Sequence, residues 1–167
     1  MKYSQNIKIF AYSSVLLAIS IILSYIENLL PSSNILFGVR IGLSNICIIL
    51  GINIIGKIRT FIITILKVIL MSLIFGSLIK FYISIFGFLL SFLCICLYSK
   101  TNNYDIIILS IIGGFSHIFG QFIALVLLLN NTSILYLLPI YLLIGIVTGL
   151  AIGIISKIIL INIKNII

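Results

Sequence analysis

Acidic side chains are almost missing from this chain of 167 residues: Glu27 and Asp105 are its only carboxylates. That scarcity excludes two-metal catalysis, paired-carboxylate glycoside hydrolysis and diphosphate binding through aspartate-rich motifs, each of which needs several carboxylates. Charge of either sign is scarce too. Charged residues make up 7% of the chain, against about 25% in a soluble domain, so no polar shell can be drawn around a globule of this size. A soluble enzyme, a nucleic-acid-binding domain and a disordered chain are thereby excluded. There is one histidine, His117, and the three cysteines, Cys47, Cys94 and Cys96, all lie in apolar runs. Cys94 and Cys96 are two apart, which on a helix points them to nearly opposite sides. They read as packing residues, and no metal or other cofactor is expected. No phosphate-binding loop of the GxxxxGK type occurs, so any ATP would be hydrolysed by a partner.

What the chain has is apolar length. Hydrophobic residues make up 63% and the mean hydropathy is +1.46. Six apolar runs cover residues 7–25, 39–55, 60–78, 81–98, 106–129 and 135–160, with short polar breaks between them. A spanning helix takes about 20 residues to cross about 30 Å of hydrocarbon. The expectation is therefore an all-α integral membrane protein, a single domain over residues 1–167 with six transmembrane helices in one bundle. Barrel strands would alternate in polarity, and these runs do not. The break between the third and fourth runs is marked only by Gly76, Ser77 and Lys80. The first run starts with Lys2 and Lys8, but it is too long for a cleaved signal and no small-x-small site follows, so it reads as a retained helix.

Ten basic residues are spread along the chain and form no nucleic-acid patch. They read as topology signals. With the N-terminus inside, Lys2, Lys8, Lys57, Arg59, Lys100, Lys157 and Lys164 are cytoplasmic, Arg40 and Lys80 are outside, and Lys67 is within a helix. Seven against two favours both termini in the cytoplasm.

A few polar residues interrupt the apolar runs. Lys67 lies about eight positions into the third run, roughly 12 Å deep at ~1.5 Å per residue, where a charge costs at least about 2.5 kcal/mol and usually faces a bundle interior or wet cavity. Its alternative is to snorkel to an interface. Arg40 is expected to begin the second helix, four residues before Ser44 and on its face, with Asn45 deeper; it reads either as an anion-binding residue or as an interfacial anchor. Ser110, Gly114, His117 and Gln121 fall at four-three-four spacing and give the fifth helix a small, polar stripe, which either lines a ligand cavity or bonds neighbouring helices. Glu27 closes the first helix, as an exposed loop-edge carboxylate or as a partner for Arg40 or Lys67. Small residues mark close helix packing: Gly145, Gly149 and Gly153 in the sixth helix, Gly120 and Ala124 in the fifth, Ser14 and Ala18 in the first.

The order of these features is familiar. The first helix ends in Leu23-Ser24-Tyr25-Ile26-Glu27, a proline loop follows, and then Gly38-Val39-Arg40-Ile41-Gly42-Leu43-Ser44-Asn45. Leu66-Lys67-Val68 precedes Phe75-Gly76, the fifth run carries Ser116-His117-Ile118-Phe119-Gly120-Gln121, and the last has Leu138-Pro139 ahead of Gly145-Ile146-Val147-Thr148-Gly149. Over nearly its whole length the chain resembles the bacterial Gx transporter family, also labelled heptaprenyl diphosphate synthase component I. That family is similar to the substrate-binding S components of energy-coupling factor (ECF) transporters. The resemblance implies a six-helix bundle in the bacterial cytoplasmic membrane that binds one small solute from outside and docks on a transmembrane T component driven by two ABC-type ATPases. It places the docking contact at Ser14 and Ala18. Lys67 stands where an arginine is expected in relatives, keeping the charge without the bidentate fork.

The leading expectation is a non-catalytic solute-binding subunit in which Arg40 and Lys67 bind an anionic or polar group. Asn45, His117 and Gln121 orient it, and Glu27 gates or pairs at the outer mouth. Alternatives are an accessory subunit of isoprenoid diphosphate or quinone synthesis, matching the family label, and a self-sufficient secondary carrier. The charge asymmetry makes a direct prediction. Cysteines introduced at Ser33 and Asn131 should react with an impermeant thiol reagent from outside, and one at Asn102 from inside; labelling of position 131 only from the cytoplasm would overturn the topology.

Overall fold

The computed structural model describes residues 2–29, 40, 42–75, 78–101 and 103–164. Among them the chain is helical and contains no strand. Its helices are α1 (Lys2–Leu29), α2 (Ile46–Ile54), α3 (Lys57–Phe75), α4 (Leu78–Tyr98), α5 (Ile106–Leu129) and α6 (Leu138–Lys164). Short 3-10 turns, Leu43–Asn45 and Thr132–Leu137, lead into α2 and α6. All of these helices except α2 are long and apolar enough to cross a membrane.

The polarity of the bundle is reversed relative to a protein in water. On α1, Leu16, Ser20, Ser24, Glu27 and Asn28 are buried while Val15, Ile19, Ile22, Tyr25, Ile26 and Leu29 are exposed. On α3, Thr60, Thr64 and Lys67 point inward, and Ile58, Ile62, Leu66, Ile69 and Leu73 outward. Lipid offers no hydrogen bonds, so polar side chains go to the interior and apolar ones to the acyl chains. This chain is a multi-pass helical membrane protein.

The fifth run is helical over the residues expected, and the first, third, fourth and sixth differ by a few residues at their ends. The second run differs in kind. Its apolar pattern predicts a helix over residues 39–55; the observed α2 has nine residues, about 14 Å at 1.5 Å per residue, and so spans about half the hydrocarbon. The physical reason lies at Gly42, whose φ of +93° is left-handed and cannot continue a helix. Arg40 therefore lies outside any helix and does not share a helical face with Ser44. Residues 30–39, which hold the proline loop and Gly38-Val39, lie outside the described residues, as do Ile41, Gly76, Ser77 and Asn102. α2 is apolar except for the exposed Asn53 and is buried over residues 47–52, with Cys47, Ile48, Ile49, Leu50 and Ile52 in the core. It ends at Gly56, also left-handed at φ +87°, where the amides of Ile55 and Gly56 both donate to the Gly51 carbonyl at 2.8 and 3.1 Å.

α5 is the central helix, packed between α4 and α6. Asp105 caps its start, accepting from the Ile107 amide at 2.7 Å, and pairs with Lys157 of α6 at 3.3 Å. The Ile107 amide first, and the Lys157 ammonium with it, hold the Asp105 carboxyl below the usual carboxylate range. The glycine triplet of α6 faces α5. A Cβ at Gly149 would stand 2.9 Å from Ile111 Cα and the Ser110 carbonyl, and one at Gly153 2.8 Å from Ile107 Cα. Gly114 meets Gly145 across the same seam, while Gly120 meets Gly87 of α4, where an added Cβ would stand 3.0 Å from its Cα. Ala124, buried, joins the core formed with Ile83, Ile118, Phe122 and Tyr141. Because the atoms met at Gly149 are backbone, Gly149→Leu must separate the helices. Overpacking of this kind costs about 1–3 kcal/mol. The variant should therefore unfold at lower temperature in detergent than an outward-facing control such as Val147→Leu, where the side chain is 66% exposed; equal melting curves would contradict the seam.

Candidate functional site

Four helices and the non-helical segment ahead of α2 place polar groups around one point inside the bundle. α1 supplies Glu27 and Asn28, the segment supplies Arg40 and Gly42 and, in its closing 3-10 turn, Ser44 and Asn45, α3 supplies Thr64 and Lys67, α4 supplies Ser84, and α5 supplies His117 and Gln121. A cavity of about 10 Å³ lies between them, room for about one water. Glu27 is 2% exposed, Arg40 7% and Lys67 6%. Glu27 is therefore inside the bundle with both cations, not at a loop edge, and Lys67 does not snorkel.

The segment is held by side chains because it has no helix to satisfy it. The Arg40 amide donates to Gln121 Oε1 at 2.8 Å, and Gln121 Nε2 donates back to the Arg40 carbonyl at 3.4 Å. The Gly42 amide donates to Glu27 Oε1. The Arg40 guanidinium reaches Asn28 Oδ1 at 3.4 Å, and Asn28 Nδ2 donates to the Ser24 carbonyl at 2.8 Å. Gln121 Nε2 also meets His117 Nε2 at 2.6 Å. An amide nitrogen can only donate, so His117 Nε2 accepts and the ring carries its proton on Nδ1. Lys67 Nζ donates to Ser44 Oγ at 2.9 Å.

Several buried atoms at this point meet no partner among the described residues: Glu27 Oε2, Arg40 Nε, His117 Nδ1, and both Nδ2 and Oδ1 of Asn45. Buried polar atoms without partners are uncommon, and each costs about 1–3 kcal/mol. Their convergence on one cavity, with two cations and one carboxylate, supplies the polar groups of a ligand site, and a guest larger than a water would have to open the bundle around itself, since small-molecule sites take about 300–1,000 Å³.

The expected residues divide into four places. Arg40, Asn45, Lys67, His117 and Glu27 line the cavity together. Gln121 is fully buried behind them and orders the segment. Ser110 and Gly114, expected on the same stripe, face α6 instead. Ser14 and Ala18 are exposed on the outer face of α1, with Ser14 Oγ bonded to its own helix at the Phe10 carbonyl, 3.0 Å. Asn28, Thr64 and Ser84 join the site without having been singled out by the sequence. Thr64 sits three residues before Lys67, and Asn28 four after Ser24, so helical spacing from the conspicuous residues was the available signal.

A polytopic helical membrane protein with an enclosed polar site is the class these features define. The family model for heptaprenyl diphosphate synthase component I matches residues 16–159, and the chain belongs to that family. No curated protein and no solved structure matches it.

Proposed function

We propose that the protein is a solute-binding subunit of a membrane transporter, acting like the S component of an ECF-type transporter and taking a small anionic or polar solute from the outer side without catalysis of its own. In this reading it lies in the cytoplasmic membrane with both ends inside. It crosses six times in this reading, with α2 in the second crossing. The observation that supports the reading is the buried cluster of Glu27, Arg40, Asn45 and Lys67 with its unpartnered atoms. A bundle that needed polarity only for packing would satisfy those atoms internally. Arg40 and Lys67 exceed Glu27 by one positive charge, and an anionic group would balance it at short range and low dielectric. Asn45 and His117 would orient the solute, and Gln121 would hold Arg40 in place.

Energy would come from partner ATPases through a T component. The exposed Ser14 and Ala18 give α1 a smooth strip on which a second helix can approach closely. Ser14→Leu and Ala18→Leu should weaken co-purification of a T component at unchanged thermal stability; unchanged co-purification would remove the docking role.

A second reading starts from the family's description, heptaprenyl diphosphate synthase component I, and makes the protein an accessory subunit of isoprenoid diphosphate or quinone synthesis. Neither carboxylate suits it for that chemistry alone, since Glu27 is tied to Gly42 and Asp105 to Lys157. Synthase activity that changes on co-purification would support it.

The test of the leading reading is Lys67→Met. It removes an insertion cost, so the variant should insert normally. It should retain at least tenfold less of the small molecule that co-purifies with the wild type from native membranes, a loss of about 1.4 kcal/mol or more. Equal retention at matched thermal stability would place any binding elsewhere.

A further inference from the structure

The unpartnered atoms of the pocket are of two kinds. Among the described residues, Arg40 Nε, Asn45 Nδ2 and, in the tautomer assigned above, His117 Nδ1 can only donate, whereas Asn45 Oδ1 and, with Glu27 ionised, Glu27 Oε2 can only accept. Lys67 has further donors, since an ammonium carries three and Ser44 Oγ takes one. A simple anion such as phosphate, diphosphate or a plain carboxylate would meet the donors and leave Glu27 Oε2 facing a like charge. At low dielectric that repulsion offsets much of what Lys67 and Arg40 contribute, and the two acceptors would stay buried and unmet.

We infer that the pocket, once widened beyond the one-water space described above, takes an ampholytic solute, a small molecule with an acidic group and, beside it, an N–H or O–H donor, and that it discriminates against purely anionic ones. This rests on the solute-binding reading above. The acidic group lies toward Lys67 and Arg40, and the donor toward Glu27 Oε2 and Asn45 Oδ1. Phe88, Ile48 and Val68 form the apolar part of the wall and suit a short carbon skeleton. Diphosphate, whose oxygens are acceptors, is a poor occupant, so this pocket would not hold the head of an isoprenoid diphosphate.

Glu27 offers a way to reverse the sign of the effect. Its Oε1 accepts from the Gly42 amide and its Oε2 has no partner among the described residues. Glu27→Gln keeps an oxygen for Gly42, so the segment stays pinned, and turns the free acceptor into a donor. An ampholyte should then bind more weakly by about tenfold or more, the scale of one charge-assisted hydrogen bond, while a simple anion should bind more tightly. The probe is the small-molecule fraction of yeast extract, passed over detergent-purified wild type, Glu27→Gln and Lys67→Met of matched melting temperature, with retained compounds identified and quantified by mass spectrometry. Inorganic phosphate and diphosphate are titrated separately. The inference predicts a retained compound with both an acid and a donor, reduced in Lys67→Met and reduced in Glu27→Gln. A retained compound lost in Lys67→Met but kept or tightened in Glu27→Gln overturns the ampholyte assignment and leaves solute binding standing, as does tight binding of diphosphate. No compound retained, or retention indifferent to Lys67, overturns the solute-binding reading and this inference with it.

Discussion

Backbone that leaves a helix inside a membrane must find hydrogen-bond partners within the protein, because the acyl chains have none to give. Here that demand is met at Arg40 and Gly42 by Gln121 and Glu27, one side chain from the central helix and one from the first. Everything else about the site follows from that arrangement. Pinning the segment brings the Arg40 guanidinium inside and sets Ser44 against Lys67. It also leaves α2 as a short plug beside the site. Without Gln121 the Arg40 peptide would lose partners on both its sides.

The chain's amino acids disclose the class of the molecule and most of its helices, because a membrane imposes a simple rule. Long uninterrupted apolar runs have almost no other use, and the rare polar residues within them are conspicuous. Glu27, Arg40, Asn45, Lys67 and His117 stand out for that reason, and the bundle brings them together. The short α2 does not stand out, since residues 39–55 are nearly as apolar as a spanning helix and a left-handed glycine looks like any other. Nor do Asn28, Thr64 and Ser84, which are ordinary residues at helix faces until a neighbour's position is known. The roles of glycines are clearer in kind than in partner: the triplet of α6 signals close packing, but nothing in the chain alone says that Ser110 and Gly114 are drawn to that seam and away from the polar pocket.

Family membership and site chemistry pull in somewhat different directions. The family's description speaks of a synthase component, while the pocket gathers one carboxylate, two cations and an amide around a space of about 10 Å³. A group able to carry diphosphate through magnesium would need several carboxylates. The pocket is instead matched to recognition, in which unsatisfied donors and acceptors report which complementary groups a guest must bring.

The bundle is held unevenly, and that has a mechanical consequence. α4, α5 and α6 touch backbone to backbone at their glycines. The first turns of α1 lie between open grooves, one against α3 at Asn6, Phe10, Ser13 and Arg59, the other against α2 and α6 at Lys8, Tyr12, Asn53 and Leu160. α1 has 28 residues, about 42 Å of helix at 1.5 Å per residue against about 30 Å of hydrocarbon. A helix longer than its bilayer relieves the excess by leaning, and α1 has no glycine seam of this kind to resist. Membrane thickness thus acts on the angle of α1, and the far end of that lever carries Glu27 and Asn28, the wall of the pocket that chooses its guest.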